Sequence, residues 1–341
     1  MKAYLLDDVR RLAAHLSERR ELLSPEQGPA GDVAWRALEE PWPLDVTALP
    51  RKPLSSPKGL FFPESEALFR FDGRHFVETL PEVRERALFG VTACDLTAIS
   101  CLDRFFAEDV HYQARRRATL LVGIDCAAPC SGGFCPTVDA GPAVREGHAD
   151  LVLHRVDVAT PLLLLVMSEA GAEALAGLDL RAAPSDWQKQ RKSNEAAVCA
   201  QFPDDAHLRA GIARVRSGGV PAQTFRELSL RCFACSGCTT VCPTCSCFAP
   251  HEQPLPALGP KAFSRARVWD SCLYDGFQRE ASGHNPSGSS AARVERFWYH
   301  KLSRDFEASL GRLGCVGCGR CETACLGAIG VHSVTRRLSQ P

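Results

Sequence analysis

The 341-residue chain lacks almost every feature that would assign it to a common class at a glance. Its 40 Lys+Arg balance 40 Asp+Glu, so it has no electrostatic footprint for nucleic acid, and no block of like charge suggests a polybasic membrane anchor. The longest apolar run, Leu162 to Met167, falls far short of the ~20 residues a bilayer span needs. The first ten positions mix acidic and basic residues and contain no apolar signal core, which points to a cytoplasmic protein. No G-x-G-x-x-G follows a strand-like run and no G-x-x-x-x-G-K-[ST] occurs, so the chain offers no flavin or nucleotide site. A G-x-S-x-G elbow and an H-E-x-x-H pair are missing too.

What the chain does have is cysteine, 17 in all. In a reducing cytoplasm an odd and high count argues for metal ligation over a disulfide framework. Five lie between positions 94 and 135, Cys199 stands alone, and eleven lie between 232 and 325. The length fits one large or two ordinary domains. The expected class is α+β, with an N-terminal α/β domain (1–218) followed by a two-cluster ferredoxin-like domain (219–341) that carries a long insertion (248–314).

In the first part, short apolar runs at 87–91, 119–124, 151–153 and 162–166 read as buried strands, with helix-like stretches at 95–106 and 169–178 between them. Helical spacing also runs through 5–23, and 41–63 is punctuated by prolines that no helix could traverse. The polar stretch 183–216 has helical periodicity and ends at Ser217-Gly218-Gly219, a helix stop and domain boundary.

The second part holds the strongest signal. Cys232, Cys235, Cys238 and Cys242 follow C-x2-C-x2-C-x3-C-P, and Cys315, Cys318, Cys321 and Cys325 repeat the spacing, with Leu326 in place of the proline. This is the bacterial two-cluster ferredoxin run, in which the fourth cysteine of each run ligates the other cluster. One 4Fe-4S cluster is therefore expected on Cys232, Cys235, Cys238 and Cys325, and a second on Cys315, Cys318, Cys321 and Cys242. Zinc is the competing occupant, but it pairs two knuckles and has no use for a third thiolate two residues on. The runs stand 73 positions apart (242 to 315), so the segment between them folds as an insertion. It contains Cys245, Cys247 and Cys272, either thiols tuning a nearby cluster or ligands of another centre, with buried apolar packing as the plain reading. Lys301 and Arg320 lie beside anionic clusters on this scheme, where they would raise the potential, or on a solvated surface, and His284 and His300 are expected to be ordinary histidines.

Cys94 follows one strand-like run, and Cys126, Cys130 and Cys135 follow the next, where open α/β sheets place their ligands. A third 4Fe-4S cluster is expected on these four. A zinc site, free thiols or a redox dithiol are the alternatives. Cys101 and Cys199 are expected in the core.

Several compound motifs resemble a known family: Pro57-Lys58 with Phe61-Phe62-Pro63-Glu64, Glu66 and Leu68-Phe69, Phe89-Gly90-Val91 with Cys94-Asp95, Asp103, Tyr112, Arg115-Arg116, Phe134-Cys135, Cys242-Pro-Thr-Cys245 with Cys247-Phe248, Trp269-Asp-Ser-Cys272, Gly283-His-Asn285, His300-Lys301 and Cys315-Val-Gly-Cys-Gly-Arg-Cys321. Over roughly 50–330 the chain resembles the beta (iron-sulfur) subunit of cytoplasmic NiFe sulfhydrogenases, and the A subunit of anaerobic sulfite reductase is similar. The resemblance implies an electron-transfer subunit, not catalytic alone, between a flavin subunit that handles NAD(P)H and the small and large subunits of a NiFe hydrogenase. The alternative terminal partner is a siroheme sulfite reductase. A reading of another class is an iron-sulfur redox sensor or interaction protein, which the lack of charge asymmetry disfavours.

Overall fold

The computed structural model describes residues 2–40, 52–156 and 161–340. Twelve strands follow one another among these: β1 (Lys2–Leu6), β2 (Glu21–Gln27), β3 (Val33–Ala37), β4 (Ser65–Phe71), β5 (Phe76–Glu78), β6 (Arg86–Thr92), β7 (Thr119–Ile124), β8 (Leu151–His154), β9 (Leu162–Val166), β10 (Arg181–Ala182), β11 (Phe248–Pro254) and β12 (Phe263–Trp269). Eight form one sheet in the order β10-β1-β9-β8-β7-β6-β2-β3. Its centre is parallel, β2 to β6 to β7 to β8, and the flanking pairs are antiparallel. β7, β8 and β9 are buried along their whole length, as strands covered on both faces must be, which is why they read as continuous apolar runs.

The expected strands at 87–91, 119–124, 151–153 and 162–166 are present. The expected helix at 95–106 is Ala93–Phe105, and that at 169–178 is shorter, Glu169–Ala174. Two readings need correction. The stretch 5–23 is not one helix but β1, the helix Val9–Ser17 and the start of β2; the apolar spacing came from a strand and a helix facing one core. Of the proline-rich 41–63, positions 41–51 lie outside the described residues, yet a four-residue helix, Lys58–Phe61, forms directly after Pro57, because proline fits the start of a helix. The stretch 183–216 holds two helices, Trp187–Cys199 and Ala206–Arg216, interrupted at Pro203.

The second sheet, β11-β12-β4-β5, takes two strands from before position 218 and two from the insertion. At its centre Arg267 of β12 is 2% exposed. Its guanidinium donates from Nε to Glu66 Oε1 (2.7 Å) and from Nη1 and Nη2 to Asp109, and it lies over Phe62, Phe106 and Phe248. Arg115 adds a 2.7 Å bond to Glu66. A buried guanidinium is stable only when its charge and donors are matched, so this network locks the insertion to the N-terminal helices. Arg267→Met leaves Asp109 short of its partner and is expected to cost about 3–5 kcal/mol, seen as a lower denaturation midpoint; an unchanged midpoint would contradict it.

Candidate metal centre

Both ferredoxin-spaced runs fold into the same loop. Ala234 (φ 50°) and Ser236 (φ 60°) in the first correspond to Gly317 (φ 65°) and Gly319 (φ 73°) in the second. Each loop feeds a short helix, Gly237–Val241 or Arg320–Ala324, and each helix ends on the fourth cysteine in an extended conformation. The two helices pack against each other, and this carries each fourth cysteine across to the other loop.

Cys232, Cys235 and Cys238 line one cavity together with Cys325 of the second run, closed by Leu273, Val294, Phe297, Trp298 and Ile329. The Cys238 thiol, pushed up to about 12 by burial, also feels the other three thiols. In the second set, burial raises Cys315 to about 12, with Cys318 and Cys242 adding to it. Cys321 is raised by burial and by Cys315, Cys318 and Cys242. Backbone amides point at the sulfurs: Gly317 N donates to Cys315 Sγ at 3.4 Å and Ile329 N to Cys325 Sγ at 3.3 Å, the bonds that favour thiolate over thiol.

Among the described residues, no three Cys, His, Asp or Glu side chains converge closely enough to hold one metal ion. A single zinc would draw its thiolates to about 2.3 Å from one point. Rings of thiols around a space suit a polynuclear cluster instead, and ligation there must release the thiol protons.

The N-terminal four cysteines also come together. β6 carries an extra residue at Gly90, where the register with β7 shifts, and such a bulge re-aims the residues after it. Cys94 then sits, 4% exposed, at the start of helix Ala93–Phe105. Burial raises its thiol, and Asp95, Cys135 and Cys318 add to the effect. Cys126, raised to about 12 by burial, faces Cys130 and takes a bond from the Ala93 amide. Cys135 is raised by burial, Cys126 and Cys130. Asp125, one residue before Cys126, is clamped by Arg191 Nε (2.7 Å), His154 Nδ1 (2.9 Å) and Val144 N (2.7 Å), which fixes that loop.

This third set lies directly on the second loop. Phe134 N donates to Gly317 O at 2.7 Å. A Cβ on Gly317 would stand 2.7 Å from Cys135 Cα, and one on Gly319 2.1 Å from Gly132 O. Lys52 Nζ spans the seam, donating to Cys130 Sγ (3.2 Å), Ser131 O (3.1 Å) and Cys318 O (2.7 Å). Beneath it, Arg320 and Asp95, each 1% exposed, form a bidentate pair at 2.6 and 2.7 Å.

Of the remaining cysteines, Cys101 is fully buried as expected, whereas Cys199 is only half-buried, at the end of its helix and near Cys135. The Cys245 thiol donates to the Cys242 sulfur, lowering Cys242 and raising itself. Cys272 does the same for Cys247, holding it down to about 6. Lys301 is buried, as is Arg320, so neither occupies a solvated surface. Burial pulls the Lys301 ammonium down, but Cys242, Cys245 and Cys315 outweigh it. His284 is exposed beside Glu280, and His300 stacks on Phe306. Sequence reasoning missed Lys52 entirely and singled out Lys58 only as part of the Pro57-Lys58 motif, with no role at the sulfurs; neither lies near a cysteine in the chain.

Because Gly319 combines a positive φ with backbone contact on Gly132, Gly319→Ala is expected to force the two loops apart, costing at least the about 1–3 kcal/mol of a strained residue and lowering both thermal midpoint and bound iron. Wild-type values for both would show that the seam is not tight.

Residues 231–329 match the family of 4Fe-4S dicluster domains. The Sulfhydrogenase 2 subunit beta of Pyrococcus furiosus is 27% identical over 312 residues, covering 87% of each chain. No solved structure matches. No helix among the described residues is long and apolar enough to cross a membrane. With two interleaved cysteine runs inside a 4Fe-4S dicluster domain, and likeness over 87% of its length to a sulfhydrogenase beta subunit, the chain is similar to iron-sulfur beta subunits, and its 4Fe-4S domain supports an electron-transfer role.

Proposed function

We propose that the chain is the internal wire of a cytoplasmic hydrogenase-type complex, carrying three 4Fe-4S clusters and no chemistry of its own. Cys232, Cys235, Cys238 and Cys325 would hold the first, Cys315, Cys318, Cys321 and Cys242 the second, and Cys94, Cys126, Cys130 and Cys135 the third. A thiolate-bound 4Fe-4S cluster supplies single-electron transfer without atom transfer. The observation that carries the reading is contiguity. Cys238 of the first set senses Cys242 of the second, and Cys94 of the third senses Cys318 of the second, so the second set is the middle of a line.

Nicotinamides exchange electron pairs, so a flavin subunit is the natural converter at one end. Likeness to a chain named as a sulfhydrogenase subunit favours a NiFe hydrogenase module at the other end over a sulfite reductase. The exposed edge of the line is at the first set, where Cys235 is exposed, as are Phe233 (71%) beside it in the loop and Leu326 (77%) directly after Cys325.

The isolated, iron-loaded chain should be brown, show EPR of reduced 4Fe-4S centres with dithionite, and turn over neither hydrogen nor NADPH unless partner subunits are added. Cys238→Ala and Cys318→Ala should each lose one cluster, about four irons, and lower the thermal midpoint. A colourless chain with stoichiometric zinc, or variants with full iron, would sink the proposal.

A further inference from the structure

Two lysines are buried beside the middle set of thiols, and neither has a carboxylate partner among the described residues. Lys301, on helix Ser290–Leu302, is 4% exposed. Its Nζ donates to Thr244 Oγ1 at 2.8 Å. That hydroxyl gives its own proton to Gly314 O (2.7 Å) and lies 3.3 Å from Cys242 Sγ. Lys58, on the short helix Lys58–Phe61, is 3% exposed. Its Nζ donates to Thr239 O at 3.2 Å, on the helix that ends at Cys242, and stands 4.1 Å over the Trp269 ring.

The two ammoniums are close enough to repel each other. The groups able to carry negative charge that face them are sulfurs: Cys242 and Cys247, each lowered by a thiol that donates to it, face Lys58, and Cys242 and Cys315 face Lys301, with the Cys245 thiol beside both lysines. Buried charges persist only when paired. Two cations forced together away from water therefore require a concentrated negative charge in the same place, more than one neutral hydroxyl, one carbonyl and one ring provide. Among the described residues, the first set of thiols has no such feature: the one charged residue lining its cavity, Arg231, is exposed. At the third set, Arg320 is cancelled by Asp95, and the cation that reaches Cys130, Lys52, is only half-buried and so screened by solvent.

We propose that Lys58 and Lys301 are the built-in counter-charge of the 4Fe-4S centre on Cys242, Cys315, Cys318 and Cys321, and that they raise its reduction potential selectively. The inference rests on the ligand assignment above. Adding an electron adds negative charge, which fixed cations in a dry site stabilise strongly, so loss of either cation moves the potential down. Both are positioning residues acting on the centre through space, Lys301 also by way of Thr244.

The test is an EPR-monitored redox titration of the iron-loaded full chain, with iron and sulfide measured in parallel. Lys301→Met and Lys58→Met should each shift one 4Fe-4S signal to more negative potential and leave the other signals in place, while Lys58→Arg, which keeps the charge, should stay near wild type. Should Lys301→Met lose iron, Lys58→Met decides alone. Full iron with every potential unchanged, or an equal shift of all signals, would overturn the inference. A wild-type chain without 4Fe-4S signals would instead remove the ligand assignment beneath it.

Discussion

Arg320 and Asp95 meet at 2.6 and 2.7 Å with almost no exposure, and the geometry of the whole thiol array hangs on that pair. Arg320 opens the helix that ends on Cys325, and Asp95 follows Cys94 on the helix leaving β6. Removing one partner from a fully buried pair strands the other charge, which is far more costly than the pair is stabilising. The N-terminal sheet and the second cysteine loop are thereby held in one register. Thr92 Oγ1 also donates to Asp95 at 3.1 Å, and Arg320 Nε to Pro53 O at 2.8 Å, so each partner makes a further bond beyond the pair.

Around this anchor the surroundings of the three thiol sets differ in kind. The first is walled by Phe297, Trp298, Val294 and Ile329 and opens towards solvent at Cys235. The second is enclosed, with buried lysines on one side. The third leans on the second through backbone contacts that only glycine permits, and takes Lys52 at its outer edge. Dielectric, charge and hydrogen bonding to sulfur are the levers a protein has over cluster potentials, and the three sets combine them in different proportions.

Much of this was legible in the chain. The cysteine spacings were readable because three thiolates on a tight loop and one on a following helix form a local pattern that needs no long-range knowledge. The runs at 119–124 and 162–166 were readable because strands buried on both faces are apolar without interruption. What escaped is long-range. The pairing of β4 with β12 joins segments some two hundred residues apart, and no periodicity in Ser65–Phe71 announces its partner. Lys52 looks like an ordinary surface lysine in a proline-rich stretch, and Lys58 stands out only as part of the Pro57-Lys58 motif; only the folded chain brings them to the sulfurs. The helical spacing across 5–23 extends beyond the helix itself because β1 and the helix Val9–Ser17 both present apolar residues to the same core, so their spacings merged.

Whether the N-terminal cysteines and the ferredoxin module form one continuous set of three cluster sites is decided by iron and acid-labile sulfide per chain. Both are measured in anaerobically prepared protein, alongside a Cys135→Ser variant. Three clusters require about twelve of each in the wild type, falling to about eight in the variant. About eight in both would contradict the three-cluster arrangement.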